Sequence, residues 1–387
     1  MQHRSFWMAA SVTLVILLGL TAIAMVEPPH YRRATDTMAK RVWRTLSKDE
    51  LNREARERNT VAYYEGLLNE GSRVSSMNTL VTGEQRFEND EWDAAGRRRR
   101  NDFRYWDLEP GYVNRDSVEP RRDLAVNSQG MADIEYSVAK PTDTWRIALL
   151  GDSITRGQGA PMFRNFETLL EDRLNATGAS GDRHIEILNF AVGGYRITQL
   201  VDAAVDWAPQ FEPNVYVLPL SELSVFRRWA DHLTTLVQYG IDLKYDYLKQ
   251  MVEQAGLHAN DASGTADAKL ARFRLQTIDW AVRTVLARAA SHNAGVVVLL
   301  LPNGTDPEVL AEEFAGVHNV LREIGVPVID LLDVFENVDD PRAYRVSETN
   351  VHPNERGHYL LYQQLFERIT QDAQLTTLFR GSPTDVR

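Results

Sequence analysis

The chain of 387 residues has no cysteine. That absence excludes disulfide staples, thiolate metal sites and a cysteine nucleophile. A basic excess is also lacking: 43 Lys and Arg against 54 Asp and Glu leave a formal net charge of −11. General nucleic-acid binders carry the opposite balance, so nucleic acid is not an expected partner. The run "RRRR" at Arg97–Arg100 goes against the overall sign. It reads either as a solvated loop or as a site for a lipid or polyanion. No HExxH, Cys/His or EF-hand spacing occurs, so neither a metal nor another cofactor is expected. Long apolar runs are scarce as well, and only one reaches spanning length.

That run is Phe6–Val26, uncharged and long enough to cross a hydrocarbon core. Arg4 before it favours a cytoplasmic N-terminus and an exported remainder. The expectation is a membrane protein with one transmembrane helix and its C-terminal domain on the periplasmic or extracellular side. The alternative is secretion after signal-peptide cleavage, since Ala22 and Ala24 offer a small-x-small site.

The rest divides by pattern. Residues 1–30 read as the anchor segment and 31–81 as a charged helical segment with Ser47 and Glu50 at capping-box spacing, either a membrane-proximal stalk or a helix packed on the main domain. Residues 82–144 read as an irregular lead-in with one or two short strands. From 145 to 380 apolar runs alternate with helical periodicity. "WRIALLGD", "HIEILNFAVGG", "NVYVLPL", "AGVVVLLLP" and "VPVIDLL" read as buried strands. Between them, "RNFETLLEDRLNA" places Phe166, Leu169, Leu170 and Leu174 on one helical face. Five strands alternating with helices predict a parallel sheet covered on both faces, with ligands beyond the carboxyl ends of the strands. An aromatic-rich helical insertion at about 223–265 is either a lid or substrate wall, or a plain elaboration.

Two residues at strand ends can carry chemistry. Ser153, in "GDSITRGQGA", follows the first strand and precedes a helix, where its own N–H can face an anion. No GK[ST] follows it, and Thr155 stands where GxSxG needs its second glycine, so neither a Walker loop nor a nucleophile elbow is present. His352, in "HPN", lies between the last strand and the last helix, within reach of Ser153 across the sheet edge. Serine needs such a base, a third group to orient it, and donors for the oxyanion.

Together the "GDS", "NFAVGGY" and "HPN" blocks resemble the SGNH, or GDSL, hydrolase family over roughly Trp145–Leu375. The resemblance implies a three-layer α/β/α, flavodoxin-like sandwich with a five-stranded parallel sheet. It implies an ester hydrolase with Ser153 as nucleophile, His352 as base, and the N–H groups of Ser153 and Gly194 in the oxyanion hole. Asp152 would cap the turn. Acylated carbohydrate, acetyl esters above all, is the implied substrate. Two positions depart from the family. Ser221 and Glu222 replace the usual Asn-Asp of the third block, making Ser221 the candidate third oxyanion donor. The triad acid is missing from its usual place three residues before the histidine, where Thr349 stands. Asn350 and Glu348 are the candidates there, with Asp330 and Asp333 further off. The alternatives to a hydrolase are an O-acyltransferase acting on a polysaccharide through the same site, and a catalytically impaired carbohydrate-binding or scaffold protein.

Overall fold

A computed structural model describes residues 96–114, 123–177, 183–226, 229–303, 307–347 and 350–381. The expected anchor and stalk lie outside these residues. Among the described residues no helix is long and apolar enough to cross a membrane.

Two short antiparallel pairs come first, β1 (Arg97–Arg99) with β2 (Trp106–Leu108) and β3 (Val113–Asn114) with β4 (Leu124–Ala125). Five parallel strands follow: β5 (Thr144–Leu149), β6 (His184–Asn189), β7 (Val215–Ser221), β8 (Gly295–Leu301) and β9 (Val328–Asp330). Their spatial order is β6-β5-β7-β8-β9, so the chain reverses direction across the sheet beside β5. That reversal opens a crevice at the carboxyl end of β5, where α/β sheets of this order bind ligands.

The main helices are α1 (Phe166–Ala176), α2 (Ile197–Asp202), α3 (Glu222–Val225), α4 (Asp231–Gln238), α5 (Asp246–Ala255), α6 (Ser263–Leu270), α7 (Arg274–Ala290), α8 (Pro307–Ile324), α9 (Glu355–Gln371) and α10 (Ala373–Arg380). Side chains alternate along each strand, so the continuous apolar runs feed two cores. Ala148, Leu188, Leu218 and Val298 belong to one, with α2, α7 and α8. Ile147, Leu149, Val217 and Leu299 belong to the other, with α1, α9 and α10. This is the expected α/β/α sandwich. In α1, Phe166, Leu170 and Leu174 are buried as the period requires, while Leu169 is only half-buried. Asn165 caps the helix, accepting the Thr168 N–H at 2.9 Å.

Strand β6 lies at the sheet edge, and its outward N–H groups are capped one by one. Asn175 Oδ1 accepts from Ile185 at 2.9 Å, Glu171 accepts from Ile187, and Asp133 Oδ2 accepts from Asn189 at 3.0 Å. Side chains satisfy donors there that would otherwise recruit another strand.

The described part of the lead-in contributes to the same core. Phe103, Tyr105 and Trp106 are buried in the α2–α7–α8 cluster. Arg146, fully buried on β5, pairs with Glu186 at 2.7 Å and also donates to the carbonyls of Ser137, Val138 and Phe211. The insertion packs on this lead-in. His232 of α4 lies between Phe103 O (2.6 Å) and Thr198 Oγ1 (2.8 Å), and burial pushes its pKa down to about 3. A neutral ring can then donate from Nε2 and accept at Nδ1.

Candidate active site

Ser153 sits just beyond β5 and is mostly buried, at 7% exposure. It opens a series of turns rather than the expected helix, since α1 begins only at Phe166. Arg156 N–H bonds to Asp152 O at 2.9 Å, and Gly157 N–H to Ile154 O at 3.0 Å. Glycine then ends the coil: Gly159 has φ +109°, and a Cβ there would collide with the Pro353 carbonyl. That close approach brings the serine loop against the loop carrying His352.

Ser153 Oγ lies 2.7 Å from His352 Nε2, and His352 Nδ1 lies 2.6 Å from Asn350 Oδ1. The same Oδ1 accepts the His352 backbone N–H at 3.2 Å. A backbone N–H can only donate, so the amide must present its oxygen to the ring. The ring must then carry its proton on Nδ1, which leaves Nε2 to accept from the serine. Asn354, two residues on, caps α9 through the Gly357 N–H at 3.1 Å and donates to Arg345 O at 2.7 Å. The asparagine of "HPN" therefore anchors the loop to the helix.

Burial, then the Arg156 charge, then His358 push the pKa of His352 down to about 4. No charge from Asn350 opposes this. His358 is itself buried, stacked on Phe166 with ring centroids 5.9 Å apart, and is a packing residue.

The second block follows β6. Val192 N–H bonds to Gly151 O at 3.1 Å, tying it to the serine loop, and Tyr195 N–H closes a turn on Val192 O. Gly194 occupies the third position of that turn with φ +85°, a conformation that glycine adopts without penalty. Among the described residues nothing accepts a hydrogen bond from the backbone N–H of Ser153 or of Gly194.

Other candidates lie elsewhere. The Ser221 hydroxyl donates to the buried carboxylate of Asp152 and accepts the Ser224 N–H at 3.2 Å, capping α3. Its single proton is committed, so the structure removes it from the set of oxyanion donors. Asp152 also accepts the Ile154 N–H at 3.0 Å and holds the turn, as expected from sequence. Glu222 is fully buried and takes a hydrogen bond from Asn303. Asp330 faces His318 at 2.8 Å and Asp333 pairs with Arg368 at 2.6 Å, so neither serves His352. Glu348 lies outside the described residues. Sequence reasoning missed Arg156 and Trp106, which line the glycine turn; Trp106 Nε1 donates to Gly193 O at 3.4 Å. The aromatic cluster around "YW" was the available signal for Trp106.

A serine hydroxyl, an imidazole and an orienting amide at the switch point of a parallel sheet are the group set of a serine-hydrolase site, carried here on an α/β/α sandwich. Residues 149–360 match the GDSL-like lipase/acylhydrolase family. That span is more than half of the chain and includes Ser153, Gly194 and His352; the chain belongs to this family. No curated protein matches it significantly. Similar solved structures include a family 3 carbohydrate esterase of Clostridium thermocellum, 14% identical, covering 61% of this chain and 99% of that one with a TM-score of 0.39. The acetylxylan esterase Axe2 of Geobacillus stearothermophilus is also 14% identical, covering 58% and 93% with a TM-score of 0.38. A two-domain esterase active on acetylated mannans is 14% identical, covering 62% of this chain and 52% of that one with a TM-score of 0.40.

Proposed function

We propose that this protein is a serine ester hydrolase that removes acyl groups, principally acetyl, from an envelope or extracellular carbohydrate. The 2.7 Å contact between Ser153 Oγ and His352 Nε2 carries the reading. His352 takes the serine proton as Oγ attacks the ester carbonyl, and the N–H groups of Ser153 and Gly194 hold the developing oxyanion. The imidazolium then protonates the departing alcohol. Water, deprotonated by the same ring, cleaves the acyl-enzyme and releases the acid. A sugar hydroxyl in place of that water would make the product a transferred ester. Asn350 fixes the tautomer but lends no charge to the imidazolium, so turnover is slow beside a carboxylate triad. In the same reading Phe6–Val26 anchors the chain and the catalytic domain faces outward.

Asn350 also favours a second reading, a carbohydrate-binding protein with an impaired site. One experiment separates the two. The exported portion and its Ser153→Ala variant are compared for hydrolysis of an activated acetyl ester and for labelling by a fluorophosphonate. Both signals should disappear together in the variant. Equal, negligible signals from two folded proteins would reject the hydrolase.

A further inference from the structure

The two glycines after β6 form the middle of a turn. Tyr195 N–H bonds to Val192 O at 3.1 Å, and Gly194, at the third position, has φ +85°. Those features define a type II turn. A type I turn closes the same hydrogen bond with its central peptide turned over, so the Gly194 N–H would point the opposite way. With glycine on both sides of that peptide, no Cβ opposes the change. Whatever holds the peptide decides whether the Gly194 N–H faces the ester.

The group on that peptide is Trp106. Its indole N–H donates to Gly193 O at 3.4 Å inside the fold, and its ring Cζ2 lies 3.6 Å from where a Cβ on Gly194 would sit. Gly193 O and the Gly194 N–H belong to one planar trans peptide and point in opposite directions. A donor on the carbonyl therefore fixes the direction of the N–H. It also polarises the unit, which strengthens that N–H as a donor. The bond is long in the resting protein, as catalytic hydrogen bonds often are before the transition state draws them in.

The chain ahead of Trp106 is bent into an unfavourable shape. Tyr105 has φ +68°, and Trp106 N–H bonds back to Arg104 O at 2.8 Å, closing a γ-turn of the strained hand. An aromatic residue in that region is an outlier. Such strain persists where surrounding contacts over-determine it, and it gathers at functional sites. Here the contacts come from the sandwich and its insertion. His232 Nε2 lies 2.6 Å from Phe103 O, and Gln199 Nε2 donates to Arg104 O at 2.8 Å. The Tyr195 hydroxyl lies 2.9 Å from Trp106 O and 2.5 Å from Asp107 Oδ1. Tyr195 is also the residue whose N–H closes the glycine turn, so turn and indole are tied to each other twice.

We infer that Trp106 is a positioning residue of the active site: its indole N–H holds the Gly193–Gly194 peptide in the orientation that turns the Gly194 N–H toward the oxyanion. The inference rests on the esterase reading. It adds a part supplied from outside residues 149–360, the span that matches the family.

The test replaces Trp106 in the full chain by 3-benzothienylalanine, which keeps the shape of the indole and lacks its N–H, and separately by phenylalanine (Trp106→Phe). On an activated acetyl ester kcat should fall roughly tenfold in both, the effect of one lost hydrogen bond, with KM nearly unchanged. Affinity for a trifluoromethyl ketone should fall by the same factor, since Ser153 Oγ adds to its carbonyl carbon and leaves an oxyanion in the site. A packing role would leave the benzothienyl protein at the natural kcat. That result overturns the inference and leaves the esterase standing, even where Trp106→Phe is slow or unfolded. A raised KM at unchanged kcat would also overturn it, assigning the indole to substrate binding. A natural chain that hydrolyses no ester and takes no fluorophosphonate would reject the esterase, and this role with it.

Discussion

Two clusters of buried titratable groups meet strand β6, one of each sign. Along its outer edge lie Asp133, Glu167 and Glu171; beyond its carboxyl end lie Arg97, Arg156, Arg196 and the base His352. Burial acts on both by disfavouring the charged form. It raises the carboxyls, Glu171 to about 8, and lowers His352 to about 4. The carboxyls have partners that explain them: they accept the edge N–H groups of Ile187 and Asn189, and Glu167 accepts from the Asn189 amide. They are structural, and they are held close to neutral. Arginine cannot be neutralised in the same way, so the cationic cluster keeps its charge near the reacting serine.

The largest effect should come from the serine–histidine pair. Ser153→Ala and His352→Ala should each lower kcat on an acetyl ester by about 10⁴ or more, and the double variant should lose little beyond either single one. Comparable losses multiplying in the double variant would mean the two side chains do not act as a unit.

Next is Asn350. A carboxylate at that position would stabilise the imidazolium, so Asn350→Asp should raise kcat roughly tenfold to a hundredfold, a fraction of the loss known for the reverse change in a serine protease. Steady-state kinetics on one ester measures this. An unchanged or lower rate would mean that Asn350 is not the group that orients the ring during turnover. The same pair of proteins gives a pH test. The base works when neutral, so kcat/KM of the natural chain should rise through a pKa of about 4 and be level above it. Asn350→Asp adds an opposite charge, raises the histidine pKa, and should move the acid limb up by about 1–3 pH units.

Much of this was legible in the sequence because it depends on pattern. Apolar runs such as "GVVVLLL" marked the central strands, and the order strand, "GDS", second glycine block, "HPN" fixed which ends would meet. Ser221 misled because its place in the order suggested a donor, whereas a serine between strand and helix, with Ser224 three residues on, is equally a capping signal. Arg97 was illegible for another reason. It reaches the site from a lead-in 56 positions before Ser153 in number, and only tertiary packing decides which of four adjacent arginines faces the glycine turn. Local periodicity carries no record of that choice.

Ser221 gives the next test. With its proton on Asp152, Ser221→Ala leaves a buried carboxylate short of a donor and should cost about 1–3 kcal/mol of stability, read by chemical denaturation. A true oxyanion donor would instead show a loss of about 10²–10³ in kcat with stability nearly unchanged. The stability loss should dominate.

The smallest effect belongs to the acidic edge and sharpens the contrast between the clusters. A carboxyl whose folded pKa is raised binds its proton more tightly in the folded state than in the unfolded one. Its stabilising contribution is complete below the ordinary carboxyl range and is lost as pH rises through the folded value, about 8 for Glu171. His352 and His358, both lowered to about 4, act in the opposite sense and lose their contribution as pH falls from about 6.5 through 4. Stability should therefore decline on the alkaline side because of the carboxyls and on the acid side because of the histidines. Glu171→Gln retains an acceptor for the Ile187 N–H and removes the titration. Its denaturation free energy should fall less steeply between pH 6 and 8, by at most about 1.4 kcal/mol per pH unit. An identical slope in the variant would mean that Glu171 ionises as freely in the folded chain as in the unfolded one, and the edge cluster would then be a solvated face.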